Sequence, residues 1–304
     1  MIFNRKRLPD LTAPLVGAAR RGDEPAFDQA LDAVRKRAAR ADVAELSEAV
    51  GVLGPVLAEE PAEFGRLAVV VGGLLEAGAE PGPELETLAR RVAEALEQRW
   101  ASAEDWARGL LIPLQRKEVR RALPHRERLV RAASDASEVG PAEWLVGLLT
   151  VLDDERLIVL HRPSGLGYEV TIGGIGDNFQ LHTLLAATLI GDPAQGLVPG
   201  TPPDPAWVAA ASDGDDLEPA GGIRGQFNLV DAHGEWIWNE GRPADIPEFD
   251  GRRVVVLDPP AYPRTWNAGR AYPHMPPTIT LDRVLPNAEA AAWLAKTTPD
   301  TRLS

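Results

Sequence analysis

Apolar residues recur at helical spacing through the first half of the chain, between polar residues that start and stop helices. In the segment "DEPAFDQALDAVRKRA", Asp23 stands at the N-cap position. Four apolar residues then fall on one face: Phe27, Leu31, Val34 and Ala38. Further amphipathic segments cover residues 42–59, 61–78 and 83–100. Because short turns join them, the pattern predicts an all-α domain over residues 1–140, either a helical bundle or a short irregular α-solenoid.

Residues 99–131 break this pattern with nine basic and four acidic side chains. Pro113 and Pro124 interrupt any helix there. The basic residues form either a surface for phosphate or acidic peptides or a solvated arginine face, and we favour the second interpretation. The next segment, "PAEWLVGLLTVL" from Pro141, has the apolar pattern of a buried helix that links the two halves.

After residue 155 the apolar period changes from about 3.6 to 2. The stretches "RLIVLH" and "GYEVTI" predict a hairpin, and "NFQLHTLLAATLI" predicts a helix. Further strands are predicted at "QFNLVD", "EWIWN", "RRVVVLD" and "TITLDRVL", with a final helix at "AEAAAWLAK". The fold class is therefore α+β, with the helical domain followed by an α+β domain over residues 141–304 whose sheet is mostly antiparallel.

Composition excludes several classes of site. The 304 residues include no cysteine, which removes disulfides, thiolate nucleophiles and sulfur-ligated metals. No apolar run has the length of a signal peptide or a membrane span, so we expect a cytoplasmic protein. Arginine accounts for 28 of the 32 basic residues, a bias typical of a GC-rich bacterium, so many arginines need no functional reason.

Charge is distributed unevenly along the chain. Residues 1–150 carry 21 basic and 24 acidic side chains, a net −3, whereas residues 151–304 carry 11 and 21, a net −10. The negative electrostatic field of residues 151–304 disfavours the binding of nucleic acid and of anionic membranes and favours the binding of cationic partners. Ordinary solubility explains the same imbalance.

The glycine-rich turn at 173–178 lies between a strand and a helix, where phosphate-binding loops occur. It lacks the G-x-G-x-x-G pattern and the Lys-Ser/Thr pair, and Asp177 at the N-cap position repels an anion. We therefore predict a structural turn and no cofactor. His182, one turn into the helix, is either a general base near Asp177 or a neutral core residue, and we favour the core.

The other histidines give no catalytic or metal-binding motif. The five histidines form neither H-E-x-x-H nor H-x-H, so the sequence predicts no metal site. Asp231 and His233 in "VDAHGEW" have the spacing of a turn. An enzyme with a dispersed site stays an alternative, as a hydrolase, lyase or peptide-modifying transferase. Its weak catalytic candidates are Asp177, His182, Asp231, His233 and His274.

Two aromatic segments are candidates for binding. Trp236 and Trp238 share one face of "EWIWN", where core packing is favoured over stacking on a ligand. The segment "DPPAYPRTWNAGRAYPHMPP", residues 258–277, is too rich in proline for regular structure and too aromatic for disorder. It offers seven contact residues: Tyr262, Arg264, Trp266, Asn267, Arg270, Tyr272 and His274.

Loops of this length in compact domains are usually functional or disordered. Our leading hypothesis is a non-catalytic recognition or adaptor protein that binds a peptide or protein partner through an ordered loop at 258–277, because Tyr, Trp and Arg concentrate binding energy. A competing interpretation is a packed Ω-loop that covers the sheet without a ligand. A third alternative is an acidic immunity-type inhibitor that masks a cationic toxin.

Overall fold

A computed structural model describes residues 6–59, 64–212, 223–266 and 269–300. The chain divides into two compact units, residues 1–150 and 151–304. The first is helical and the second contains a mostly antiparallel sheet, which confirms the α+β class. The boundary falls after Thr150 and not after residue 140, because the helix at Ala142–Leu149 packs against helices of the first unit.

The first unit contains nine α-helices in its described residues. They are α1 (Leu8–Arg21), α2 (Glu24–Ala38), α3 (Val43–Glu59), α4 (Gly65–Glu76), α5 (Pro83–Glu97), α6 (Ala103–Leu111), α7 (Lys117–Ala122), α8 (Arg126–Asp135) and α9 (Ala142–Leu149). The apolar pattern predicts α2 to α5 and α9 but does not predict α1, α6, α7 or α8. Asp23 caps α2 by accepting a hydrogen bond from the Ala26 amide at 3.1 Å, as expected.

The helices stack in two rows. One row runs α1, α3, α5, α8 and the other runs α4, α6, α9, while α2 packs on α1. This stacking is that of a short α-solenoid rather than a closed bundle. The tightest approach joins α4 to α6, where a Cβ on Gly72 would lie 2.0 Å from the carbonyl oxygen of Gly109.

Arginines of the 99–131 segment satisfy helix ends inside the first unit. Arg120 is buried and donates to the carbonyl oxygens of Leu114 at 2.8 Å and Gln115 at 2.9 Å. Arg116 donates to the carbonyls of Leu75 and Ala79 near the end of α4. Because the last carbonyls of a helix lack partners within it, these guanidinium groups stabilise helix ends. Arg120 therefore belongs neither to a solvated arginine face nor to a surface for phosphate, and both predictions are wrong for this residue.

The second unit has three α-helices and ten strands in its described residues. The helices are α10 (Asn178–Leu189), α11 (Pro205–Ala211) and α12 (Asn287–Leu294). The strands are β1 (Glu155–His161), β2 (Leu166–Gly173), β3 (Ile190–Gly191), β4 (Val198–Pro199), β5 (Ile223–Arg224), β6 (Asn228–Val230), β7 (Glu248–Phe249), β8 (Arg252–Asp258), β9 (Thr265–Trp266) and β10 (Thr278–Val284).

The main sheet has the order β10-β2-β1-β8-β6, with β7 also paired to β8. All its pairs are antiparallel except β1 with β8. Alternate residues of β1 and β8 enter two cores, one shared with α10 and the other with α12. The predicted strand at "EWIWN" is wrong, since only a single bridge joins Trp236 to Val230.

Candidate functional site

The loop at 258–277 is held to the end of the sheet by polar contacts. Asp258, buried at the end of β8, pairs with Arg162 across 2.8 Å between Oδ1 and Nε. Arg264 donates to Asn228 Oδ1 at 3.1 Å, and its carbonyl accepts from the Gly225 amide at 3.0 Å. The expectation that this segment holds no strand is wrong, because β9 lies within it and pairs with β5.

Two rings of the loop point inward. Trp266 packs on α10, with its ring centroid 4.7 Å from that of His182 and 5.6 Å from that of Phe179. Tyr272 is only 9% exposed. The expectation that the loop presents all its rings to a partner is therefore wrong for Tyr272, and Trp266 also serves largely to anchor the loop.

The glycine-rich turn receives the far end of the loop. Gly174 has φ +65° and lies so close that a Cβ would sit 2.6 Å from the Pro276 carbonyl oxygen. A Cβ on Gly176 would lie 3.2 Å from the ring of Tyr272. Asp177 caps α10 by accepting a hydrogen bond from the Gln180 amide at 2.8 Å. The turn is thus structural, as the sequence predicts.

Tyr262 points outward and joins two tryptophans on the surface. Its side chain is 53% exposed, and that of Trp238 is 57% exposed. Trp236 lies between them, with its ring centroid 6.0 Å from that of Trp238 and 6.1 Å from that of Tyr262. We call these three rings the aromatic platform. The expectation that both tryptophans pack in the core is wrong for Trp238, while Trp236 contacts the core on the α12 side.

A buried carboxylate fixes the centre of the platform. The indole nitrogen of Trp236 donates to Asp300 Oδ2, which also accepts from Asn228 Nδ2 at 2.9 Å. The Ile237 amide donates to the Leu229 carbonyl at 2.9 Å, which holds the segment against β6. Sequence reasoning missed Asp300, because no local pattern connects a carboxylate near the chain end to residues so distant in sequence.

A groove of 470 Å³ opens beside Tyr262. Its lining residues are Thr201, Arg224, Gly225, Gln226, Pro260, Ala261, Tyr262 and Pro263, and we call it the proline groove. Arg224 is exposed and forms no ion pair with any residue that the structure describes. Gly225 leaves room for Arg264, whose Cγ would lie 3.2 Å from a Cβ at that position.

His182 is a neutral core residue. It is fully buried, and its Nε2 donates to the Phe227 carbonyl oxygen at 3.0 Å. Burial lowers the pKa of His182 to about 4, since a buried imidazolium is poorly solvated. Burial also raises the pKa of Asp177, whose carboxylate caps α10. The two side chains bind different partners, so the structure does not join them as an acid/base pair.

The remaining candidates lie apart. Asp231 accepts hydrogen bonds from the amides of His233 at 2.8 Å and Glu235 at 3.0 Å, the geometry of a turn. His233 and His274 are exposed. Arg270 lines a smaller cavity of 210 Å³ together with Asp177 and Trp266. Asn267 lies outside the described residues.

Three further findings concern the chain as a whole. Over the described ranges, no cluster of three or more His, Asp or Glu side chains has a geometry that would hold a metal ion. Within those same ranges, no helix combines the length and the apolar character that crossing a bilayer requires. Comparison with protein-family models, with curated proteins and with solved structures finds no match.

Proposed function

We propose that this protein is a non-catalytic recognition protein that binds an extended peptide segment of a protein partner. The peptide lies across the aromatic platform and along the proline groove. The observation that carries the proposal is the pair of large rings, Trp238 and Tyr262, each more than half exposed. The Trp238 carbonyl accepts a hydrogen bond from Asn178 Nδ2 at 2.8 Å, which holds that part of the backbone in place.

The platform has the chemistry of a binding surface. Exposed aromatic area is unfavourable in water at roughly 25 cal/mol per Å², and a bound partner removes that cost. Tyrosine and tryptophan dominate the residues whose truncation weakens interfaces most. Three contacting rings beside Pro260 and Pro263 resemble in composition the aromatic grooves that bind extended, proline-containing peptides.

Arginine side chains near the platform can donate directional hydrogen bonds to a bound peptide. Arg224 lines the proline groove. Arg264 donates to Asn228 Oδ1 at 3.1 Å and interacts with the Glu240 carboxylate only at longer range than an ion pair. Guanidinium groups offer several donors in a fixed plane, which suits main-chain carbonyls and carboxylates of a bound peptide. We therefore expect the peptide to supply an acceptor near Arg224.

A cationic toxin is the alternative partner, and the net charge of −10 over residues 151–304 favours it. Binding dominated by that field would weaken steeply with added salt, because the Debye length falls from about 10 Å at 0.1 M to about 3 Å at 1 M. Binding through the aromatic platform buries apolar area and changes little over the same range. A salt titration of the complex separates the two.

The experiment that tests the proposal selects a phage-displayed library of random peptides, about 12 residues long, on the full chain. We expect the wild type to enrich peptides whose affinity falls at least about tenfold in Trp238→Ala and in Tyr262→Ala. Trp144→Ala is the matched control, because Trp144 is 53% exposed but lies on α9 of the other unit.

Both platform variants remove exposed side chains, so the free energy of unfolding should change by less than about 0.5 kcal/mol. Urea denaturation checks that each variant is folded before its affinity is compared. Selection of no peptide, or of peptides that bind all three variants equally, would reject the aromatic platform as the binding surface.

A further inference from the structure

A second groove lies in the helical unit, on the row of helices that contains α4 and α6. Its volume is 470 Å³, and α2, α4 and α6 form its walls. The backbones of α4 and α6 pack closely together, whereas α2 packs on α1. A gap therefore remains between α2 and α4, both of which lie entirely within the described residues. We call this gap the helix groove.

Both long walls of the helix groove are stripes of helical spacing. On α2 the apolar wall consists of Phe27, Leu31, Val34 and Ala38. On α4 it consists of Val69, Val70, Gly73 and Leu74. The α2 residues follow the spacing i, i+4, i+7, i+11, and Val70, Gly73 and Leu74 on α4 follow i, i+3, i+4, so each set lies on one face of its helix. The α2 stripe extends over 12 residues, or about 18 Å at 1.5 Å per residue.

Gly73 leaves an open position on α4, with no neighbour from the described part of the chain packed against it. A Cβ at Gly73 would meet no atom of the described residues within 4 Å, whereas its neighbour Gly72 is needed for the contact with Gly109. A glycine inside a helix costs roughly 1 kcal/mol relative to alanine, and no packing contact within the described ranges offsets that cost at Gly73. The missing side chain leaves the backbone of α4 open to close approach from outside.

Three arginine side chains lie at the rim of the helix groove. Arg66 pairs with Asp28, and Arg108 pairs with Glu104. Arg35 is exposed at the rim and forms no ion pair with a residue in the described part of the chain. An occupant that carries a carboxylate beside its apolar face would pair with it.

We propose that the helix groove binds one amphipathic α-helix of a protein partner. The helix lies between α2 and α4, with its backbone closest to α4 at Gly73 and an acidic residue opposite Arg35. Two apolar stripes of helical spacing and a glycine at the point of closest approach suit the packing of a third helix. This site is separate from the aromatic platform and does not depend on it.

The test uses the full chain and a phage-displayed library of helix-forming peptides about 18 residues long. Leucines are fixed at i, i+3, i+4 and i+7, and the flanking positions vary among Asp, Glu, Lys and Gln. We expect enriched peptides with an acidic edge. Their affinity should fall at least about tenfold in Gly73→Leu and stay within about twofold in the matched control Gly73→Ala.

Ala77→Trp is a second blocking variant, at an exposed position that lines the groove just after α4, and it should cause the same loss. Arg35→Glu should weaken acidic-edge peptides about threefold to fivefold and leave uncharged-edge peptides unchanged. Trp238→Ala should leave helix binding unaltered, which separates this proposal from the peptide site of the other unit.

Two results would overturn the proposal. One is that the selection enriches no helical peptide. Sodium dodecanoate is the probe for an acyl-chain ligand, and binding of this probe alone would count as the same result. The other is a set of peptides that binds the wild type, folded Gly73→Leu and folded Ala77→Trp with equal affinity.

Discussion

At the scale of single residues, the candidate site combines side chains that anchor the loop with side chains that face outward. Trp266 and Tyr272 hold the loop from within, while Tyr262 and Trp238 are exposed. The platform depends on a third kind of residue, Asp300, which is buried and positions Trp236 through its indole nitrogen. The side chains that we propose to contact a partner therefore differ from the side chains that hold them in position.

His182 gives a prediction about pH. Its pKa is about 4 in the folded chain and near 6.5 when unfolded, so between these values the unfolded state binds more protons. The contribution of His182 to stability is present above about pH 6.5 and is lost as the pH falls toward about 4. We expect the free energy of unfolding to fall by about 3 kcal/mol more in the wild type than in His182→Gln over this window.

Urea denaturation of both proteins at several pH values measures that difference. Glutamine keeps a donor for the Phe227 carbonyl and does not titrate, so the subtraction removes the contributions of other groups. Parallel pH curves for the two proteins would show that His182 titrates normally in the folded state, and the assignment of a neutral core imidazole would be wrong.

Residue patterns predict the capping and core positions of the site but not its spatial neighbours. The Asp177 cap and the burial of His182 follow from their places at the start of, and within, one helical segment that is apolar almost all round. The outward position of Trp238 and the contact between Trp236 and Tyr262 depend on how β6 and β8 meet, which no local pattern encodes. Likewise Asp300 gives no signal along the sequence, since its partners are distant.

At the scale of elements, periodicity predicts helices and long strands and fails for short ones. The runs that form β2 and β10 alternate apolar and other residues over eight and seven residues, whereas β1 and β8 contain continuous runs of four apolar residues, Leu157–Leu160 and Val254–Leu257, that are buried on both faces. In contrast β5 and β9 have two residues each, and their pairing depends on tertiary contact. The stacking of the helices in two rows could not be predicted from the sequence either, because an apolar stripe does not indicate which helix it packs against.

Adjacent glycines of α4 give a prediction about helix packing. Gly72→Ala would place a Cβ 2.0 Å from the Gly109 carbonyl oxygen, so α4 and α6 must separate, and we expect a loss of about 3 kcal/mol in the free energy of unfolding. The Cβ of Gly73→Ala meets no described residue within 4 Å, and the substitution should raise that free energy by about 0.5 to 1 kcal/mol.

Urea denaturation of the two variants measures the contrast, and each serves as the control for the other. Equal effects of the two substitutions would contradict the close approach of α4 and α6. A loss of stability in Gly73→Ala would show that the helix groove is filled by the chain itself.

At the scale of the whole molecule, each unit has its own apolar core. We expect residues 1–150 and residues 151–304, expressed separately, to fold as independent domains with cooperative urea transitions. The first should give the circular dichroism of an α-helical protein and the second a mixed spectrum. Failure of either fragment to fold would contradict the division after Thr150.

The most direct test of the proposed function is the affinity of one selected peptide for the wild type and three folded variants, measured by isothermal titration calorimetry. We predict that Trp238→Ala and Tyr262→Ala each raise the Kd at least about tenfold, a loss of about 1.4 kcal/mol, whereas Trp144→Ala leaves the Kd of the wild type within about twofold. Equal Kd values for all three variants would contradict recognition through the aromatic platform.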